Sequence, residues 1–416
     1  MLHLRVLALL SLPFFAAQAV AQSNLSLQQT VRTARSSNPV LKTEILNTSA
    51  ARADIITAGL RPNPQLNNQT LQLANDKYFA PDTKFGSAHN RQVWWQLTKQ
   101  FQFSGQRKYR LEVAGENLNI TEKTYADTER NILSSTANKW LDVWFNKVNL
   151  LLVQDAKINL DSLVQTQEIR LKNQVISNSD LLRTQLLQEQ YVLQLKTAEQ
   201  DYKNELQHLK LLTGIKDSIS VDENDPVVNP QLIQELDSLV SESVHQRPDM
   251  QVAQNAISAA KSNIRLQRAM AVPAPELGFI WNPQNTVPYF GIYGTIDLPF
   301  FNRNQGEVKK SRILLQQTEL SYDALKKQVE TEVATSYRTY QVNAGTVEKY
   351  HGILSKAEQV LTAVRYSYTR GGTTIIDFLD AQRTWFDTQK MYNEALYNYR
   401  KSYLQLLTVT GLINQL

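Results

Sequence analysis

The chain carries an internal repeat, and a sequence written twice over must fold as two copies of one supersecondary unit. Asn38-Pro39-Val40-Leu41 corresponds to Arg247-Pro248-Asp249-Met250 at a shift of 209, and Pro62-Asn63-Pro64-Gln65-Leu66 to Pro273-Ala274-Pro275-Glu276-Leu277 at 211. Further on the shift is 197, pairing Phe103 with Phe300, Trp140 with Tyr337, Asp180 with Asp377, Gln185 with Gln382 and Gly214 with Gly411. The difference of 14 residues places an insertion between Leu66 and Phe103 of the first half, and a length change of that kind marks a surface loop. The repeats are expected at 22–225 and 226–416, each with an entry helix, a strand pair and a long helical hairpin. The strand pairs are expected at about 65–103 and 276–300, and the hairpins at about 107–214 and 305–411.

The helical expectation comes from punctuation. No glycine or proline occurs from Glu116 to Thr213, and no proline follows Pro299, so very long helices are permitted. Phe378, Trp385, Tyr392, Tyr399 and Leu406 fall seven apart, beside a small-residue row of Ala381, Thr388, Ala395 and Ser402. Leu195, Tyr202 and Leu209 keep the same register in the first half, as a coiled-coil seam requires. Each hairpin breaks once, before Asp180 and before Asp377, where a polar or glycine-rich turn precedes a helix start. The arm from Arg107 to Lys172, if fully helical, is roughly 100 Å long.

Between entry helix and hairpin the period changes to two. Val93, Trp95, Leu97, Phe101 and Phe103 alternate with mostly polar neighbours, and Phe290, Ile292, Ile296, Leu298 and Phe300 do the same in the second half. Shorter partners are expected at Gln65 to Leu73 and Glu276 to Trp281. Strands of about 9 to 11 residues with one apolar face, flanked by aromatics, are a transmembrane-barrel pattern. Trp94, Trp95, Trp281 and Tyr289, with Phe290 beside them, are candidates for the aromatic girdle. Four strands cannot close a barrel, for which about eight is a practical minimum, and an open edge in lipid leaves backbone groups unpaired. The barrel is therefore expected to be shared among subunits.

The N-terminus narrows the class. Arg5, the apolar run Val6 to Phe15 and the triplet Ala19-Val20-Ala21 predict a cleaved secretory signal over 1–21. There is no cysteine, hence no disulfide, thiolate metal site or lipid-carrying cysteine. A net charge of +5 spread along 416 residues argues against nucleic-acid binding. No run of eighteen apolar residues follows the signal, which excludes a helical inner-membrane protein. His89, His208, His245 and His351 are isolated, so neither an enzyme nor a metal or other cofactor is expected.

Signal, duplicated halves, strand pair, hairpin and the closing glycines Gly214 and Gly411 together resemble the TolC-like outer-membrane efflux family. The entry Pro-Asn-Pro-Gln-Leu and the run Leu298-Pro299-Phe300-Phe301-Asn302-Arg303 with Gln305-Gly306 are similar to its heavy-metal, cobalt-zinc-cadmium branch. The resemblance implies a mainly α protein with a transmembrane β portion. Three copies would form a 12-stranded outer-membrane barrel continued by a periplasmic α-helical barrel. It also implies passive export of small solutes, heavy-metal cations among them, delivered by an inner-membrane pump of the RND type through a periplasmic adaptor protein.

By the same resemblance Tyr368, Asp377 and Asp380 occupy gate positions at the inner end, with Asp180 equivalent in the first half. The hairpin tips, Gln174-Val175-Ile176 and Gly371-Gly372-Thr373, occupy adaptor-contacting positions. Two departures stand out: the family's closing arginine falls at Thr373, so Arg370, three residues earlier, is the candidate to take its place in the gate, and the first tip has Gln174 in place of glycine. A periplasmic coiled-coil adaptor or a structural protein is the alternative class. An adaptor would carry one hairpin flanked by lipoyl-like strands, not two hairpins each preceded by an amphipathic strand pair.

Overall fold

The computed structural model describes residues 23–225, 235–284 and 287–416. The expected signal over 1–21 and the junction of the halves at 226 lie outside the described residues. The chain packs as two compact units. One comprises the chain up to Ser36, Thr136–Asn229 and Glu348–Tyr397, and the other Ser37–Ser135, Pro230–Val347 and Asn398–Leu416.

Element order repeats the sequence. The first half runs β1 (Ser23–Leu25), α1 (Leu27–Ser37), α2 (Pro39–Gly59), β2 (Gln65–Gln72), β3 (Arg91–Gln100), α3 (Gln106–Lys172) and α4 (Asn178–Thr213). After β4 (Ile219–Val221) the second half runs α5 (Leu236–Gln246), α6 (Pro248–Met270), β5 (Glu276–Gln284), β6 (Val287–Thr295), α7 (Gln305–Thr369) and α8 (Ile375–Thr410). The entry helix of each half is thus broken in two by an X-Pro step, because proline disfavours the helical region for the residue before it. Asn38 caps the second piece, its side chain accepting from the amides of Val40 and Leu41. No helix among the described residues is long and apolar enough to cross a membrane.

In the unit that holds the hairpin turns, Leu152, Val153, Ala156 and Leu160 of α3 pack with Tyr191 of α4 and Phe386 of α8. The Tyr191 and Phe386 rings meet edge to face at 4.9 Å, and burial pushes the Tyr191 phenol up to about 12. Parallel pairing of β1 with β4 ties the first described residues to the stretch between the halves. Two buried indoles of α3 hold that pair: Trp140 donates to the Leu25 carbonyl at 2.9 Å and Trp144 to that of Glu223 at 3.1 Å.

The second unit contains the sheet, in the order β2-β3-β5-β6 with every pairing antiparallel. Its helices bury Leu239, Met250, Val329, Val333, Leu406 and Val409 in one cluster. The 14-residue insertion falls in the β2–β3 connection, where a single buried side chain organises the loop. Asn90 accepts from the Ala80 amide at 2.8 Å and donates to Thr83 Oγ1 at 2.9 Å and the Lys84 carbonyl at 3.2 Å.

Both long strands end earlier than the alternation suggests. β3 stops at Gln100 and β6 at Thr295, so Phe101, Phe103, Ile296, Leu298 and Phe300 lie beyond the sheet. The cause is β5, whose first residue Glu276 faces both Gln100 and Thr295. Behind it Pro273 and Pro275 have no amide to donate to either ladder, and Phe101 finds only a carbonyl there, that of Pro275 at 2.8 Å. Gly278 lies where the β3 backbone leaves no room for a side chain on β5; a Cβ there would run into the Leu97 carbonyl oxygen. Gly278→Ala is therefore expected to unpair β3 from β5. The loss of a heat-resistant oligomer on unboiled gels would register it, and an unchanged band would show that the strands can part without cost.

Candidate functional site

The candidate gate residues all fall at the two hairpin turns, which are built alike. α3 and α7 both end in a Schellman motif. Gln174 N–H donates to the Leu171 carbonyl and Val175 N–H to that of Arg170, while Gly371 and Gly372 repeat the bonds to Tyr368 and Ser367. The motif needs a left-handed residue: Gly371 has φ 77° and Gln174 has φ 60°. A side chain in that region costs roughly 1–2 kcal/mol relative to glycine. Gln174→Gly should raise the thermal midpoint by the equivalent of about 1 kcal/mol, part of the gain being offset by the freer unfolded chain. A fall in the midpoint would show that the amide holds the tip through contacts.

Each returning helix opens with a capping box, in which side chain and backbone of two residues satisfy each other's amides. Ser177 Oγ accepts from the Asp180 amide at 3.2 Å while the Asp180 carboxylate accepts from the Ser177 amide at 3.2 Å. Thr374 and Asp377 repeat the pair, and Asp377 Oδ2 also accepts from the Thr373 hydroxyl at 2.6 Å. The Thr373 hydroxyl first, then Thr374, hold the Asp377 carboxyl below its ordinary range. Both aspartates thus terminate helices. Asp380, one turn on, is exposed.

Tyr368 lies at the centre of the only cross-hairpin tie among the named gate residues. It is buried, stacked on Phe378 at 5.2 Å with an interplanar angle of 1°, and its hydroxyl accepts from Gln167 Nε2 and from Arg170 Nη1, the latter at 2.8 Å. The Arg170 guanidinium also lies 5.0 Å from the Tyr368 ring centre. Arg370, just past the end of α7, is elsewhere: its guanidinium stacks on Tyr366 in the last turn of that helix at 4.0 Å. The arginine at Tyr368 therefore comes from the first hairpin. Sequence reasoning missed Arg170 and Gln167, and the signal that could have found them is their place within the last two turns of α3, level with the end of α7.

At the tips, Val175 is largely exposed, Ile176 and Thr373 are half-buried, and Gly371 and Gly372 are exposed. In the sheet, the registers sort the girdle candidates. Trp95 faces Trp281, which faces Phe290, and with Leu97, Phe279 and Ile292 they make one apolar face. Trp94 and Tyr289 belong to the opposite face, because neighbouring residues of a strand point to opposite sides. They cannot share a girdle with Trp95 and Trp281. The Trp94 indole N–H is 2.7 Å from the Asn282 side-chain oxygen with that amide turned, a polar partner suited to the polar side. Among the described residues no cluster of three or more His, Asp or Glu could hold a metal ion.

An amphipathic strand pair followed by a long helical hairpin with a capped turn occurs twice in this chain, and the chain belongs to the outer membrane efflux protein family, whose model matches residues 30–215 and 239–412. It is similar to the cation efflux system protein CusC of Escherichia coli strain K12, 23% identical over 323 residues that make up 74% of this chain and 62% of the relative. The chain thus spans somewhat under two thirds of that relative's length. The outer membrane protein TolC of Vibrio cholerae is 22% identical over 325 residues, 73% of each chain. A crystal structure of CusC superposes with a TM-score of 0.76 at 20% identity, covering 94% of this chain and 92% of the other, and so shares the fold.

Proposed function

We propose that this protein is the outer-membrane duct of a tripartite efflux system. Three copies share one twelve-stranded barrel, and small solutes cross it passively after delivery by an inner-membrane RND-type pump through a periplasmic adaptor protein. The observation that carries this reading is the sheet. Among the described residues its outer strands β2 and β6 have no further strand beside them, and its apolar face suits lipid while its edges do not. Two more copies supply the missing partners and close the barrel. Its relative CusC is a cation efflux system protein, which makes metal cations the first cargo to try.

The hairpin turns are the duct's inner end in this reading. Tyr368 with Gln167 and Arg170 ties the hairpins of one subunit together at rest. Asp377 and Asp180 keep the turns folded, Asp380 offers its charge to the opening, and Arg370 with the exposed tips meets the adaptor. Native mass measurement in detergent, paired with planar-bilayer recording, tests the proposal. Three chains per particle and discrete conductance steps are expected; a stable, non-conducting monomer overturns it.

A further inference from the structure

The four strands distribute charge unequally between their faces. On the face opposite to Trp95 and Trp281, the described residues of all four strands carry no lysine, arginine or aspartate. Glutamine and asparagine amides and hydroxyls predominate, with a few aromatic or small side chains and the aliphatic Leu71, Ile280 and Val287 among them. One ionisable carboxylate is present, Glu276, in the register row nearest the helices, opposite Gln100 and Thr295. Lys99, beside it in β3, belongs to the apolar face, where a long amine can reach from a lipid-facing position to the headgroups. The polar strand β2 also settles its groups internally on that side, Asn68 donating to the Trp94 carbonyl at 3.2 Å and accepting from Thr70 at 3.2 Å.

We infer that the amide-rich face is the wall of the conduit and holds no fixed charge except one Glu276 per subunit, so the barrel passes small polar solutes of either sign and the Glu276 carboxylates alone bias it toward cations. This rests on the duct reading above. Amides and hydroxyls exchange hydrogen bonds with a passing hydrated solute without imposing a sign, whereas a carboxylate repeated around a lumen raises the local cation concentration over about one Debye length, ~10 Å at 0.1 M salt and ~3 Å at 1 M.

The absence of cysteine makes the test direct, since a single introduced thiol is the only one. Gln92→Cys and Gln100→Cys on the amide face, and Leu97→Cys on the apolar face, are reconstituted in planar bilayers and treated with water-soluble thiol reagents of positive or negative charge. Reversal potentials in a KCl gradient should move in opposite directions for the two reagents at both amide-face positions and stay put at Leu97→Cys. Glu276→Gln should lower the K+ to Cl− permeability ratio, by about twofold or more at 0.1 M salt, with the difference fading at 1 M. Channels that respond at Leu97→Cys and not at the amide-face positions, or a ratio unmoved by Glu276→Gln at low salt, overturn the inference while leaving the duct intact. If none of the proteins, wild type included, forms channels, the duct reading falls and the inference with it.

Discussion

Arg170→Ala is expected to leave the channel open at rest. The guanidinium donates to the Tyr368 hydroxyl at 2.8 Å across the two hairpins, in a site where Tyr368 is 9% exposed and Gln167 is fully buried. A hydrogen bond to a charged group contributes about 1.5–3 kcal/mol. Every 1.4 kcal/mol is a factor of about ten, so the closed state of each subunit should lose roughly 10- to 100-fold in weight. Tyr368→Phe should act in the same direction: it removes the acceptor of both Gln167 and Arg170 and keeps the ring stacked on Phe378. Arg370→Ala should change open probability little, because its guanidinium stacks on Tyr366 of the same hairpin. Single-channel recordings of the three variants rank them, and an Arg370→Ala channel that opens more than Arg170→Ala would move the tie to the second hairpin.

The second large effect is on stability. Arg247 stands where Asn38 stands in the first half, at the proline step between the two entry helices, yet it does different work. Its side chain is buried and donates to Asp249 at 2.6 Å, to Glu332 at 2.7 Å and to the Val409 carbonyl at 3.0 Å, joining α6, α7 and the end of α8. Removing one partner of a buried ion pair costs about 3–5 kcal/mol, since the remaining charges are left without compensation. Arg247→Met should lower the unfolding free energy of the detergent-solubilised protein by that amount in urea melts; a change below about 1 kcal/mol would mean that water reaches the acids. Burial pushes the Asp249 carboxyl up, but the bond from Arg247 and the charge of Arg130 outweigh it and hold it below its ordinary value. A depressed folded value means that Asp249 stabilises fully above the ordinary carboxylate pKa of about 3.9 and that this stability fades as the pH falls through the lower folded value. Arg247→Met should weaken that acid dependence, with the Arg130 charge still left to favour the carboxylate.

The divergence of Asn38 and Arg247 illustrates what a duplicated sequence can and cannot tell. Features that depend on neighbours along the chain were legible from residue order: the two long hairpins, their breaks before Asp180 and Asp377, the left-handed turn at Gly371 and the alternation of the strands. Each follows from local backbone preference and period, which act over a turn of helix or a pair of strand positions. Grouping Trp94 with Trp95 in one girdle overlooked the pleat, which forbids neighbouring residues of a strand from sharing a face. Tertiary structure alone decided the rest. Arg170 and Tyr368 are 198 residues apart, and they meet because two helices of 67 and 65 residues end level with matching rotation, a phase that no local preference fixes. The early ends of β3 and β6 were decided by prolines on a different strand, since a ladder stops where its partner can no longer donate. Which arginine ties the hairpins, and which face of the sheet carries the single carboxylate, followed from pairing between distant segments, whose energy lies in contacts rather than in sequence order.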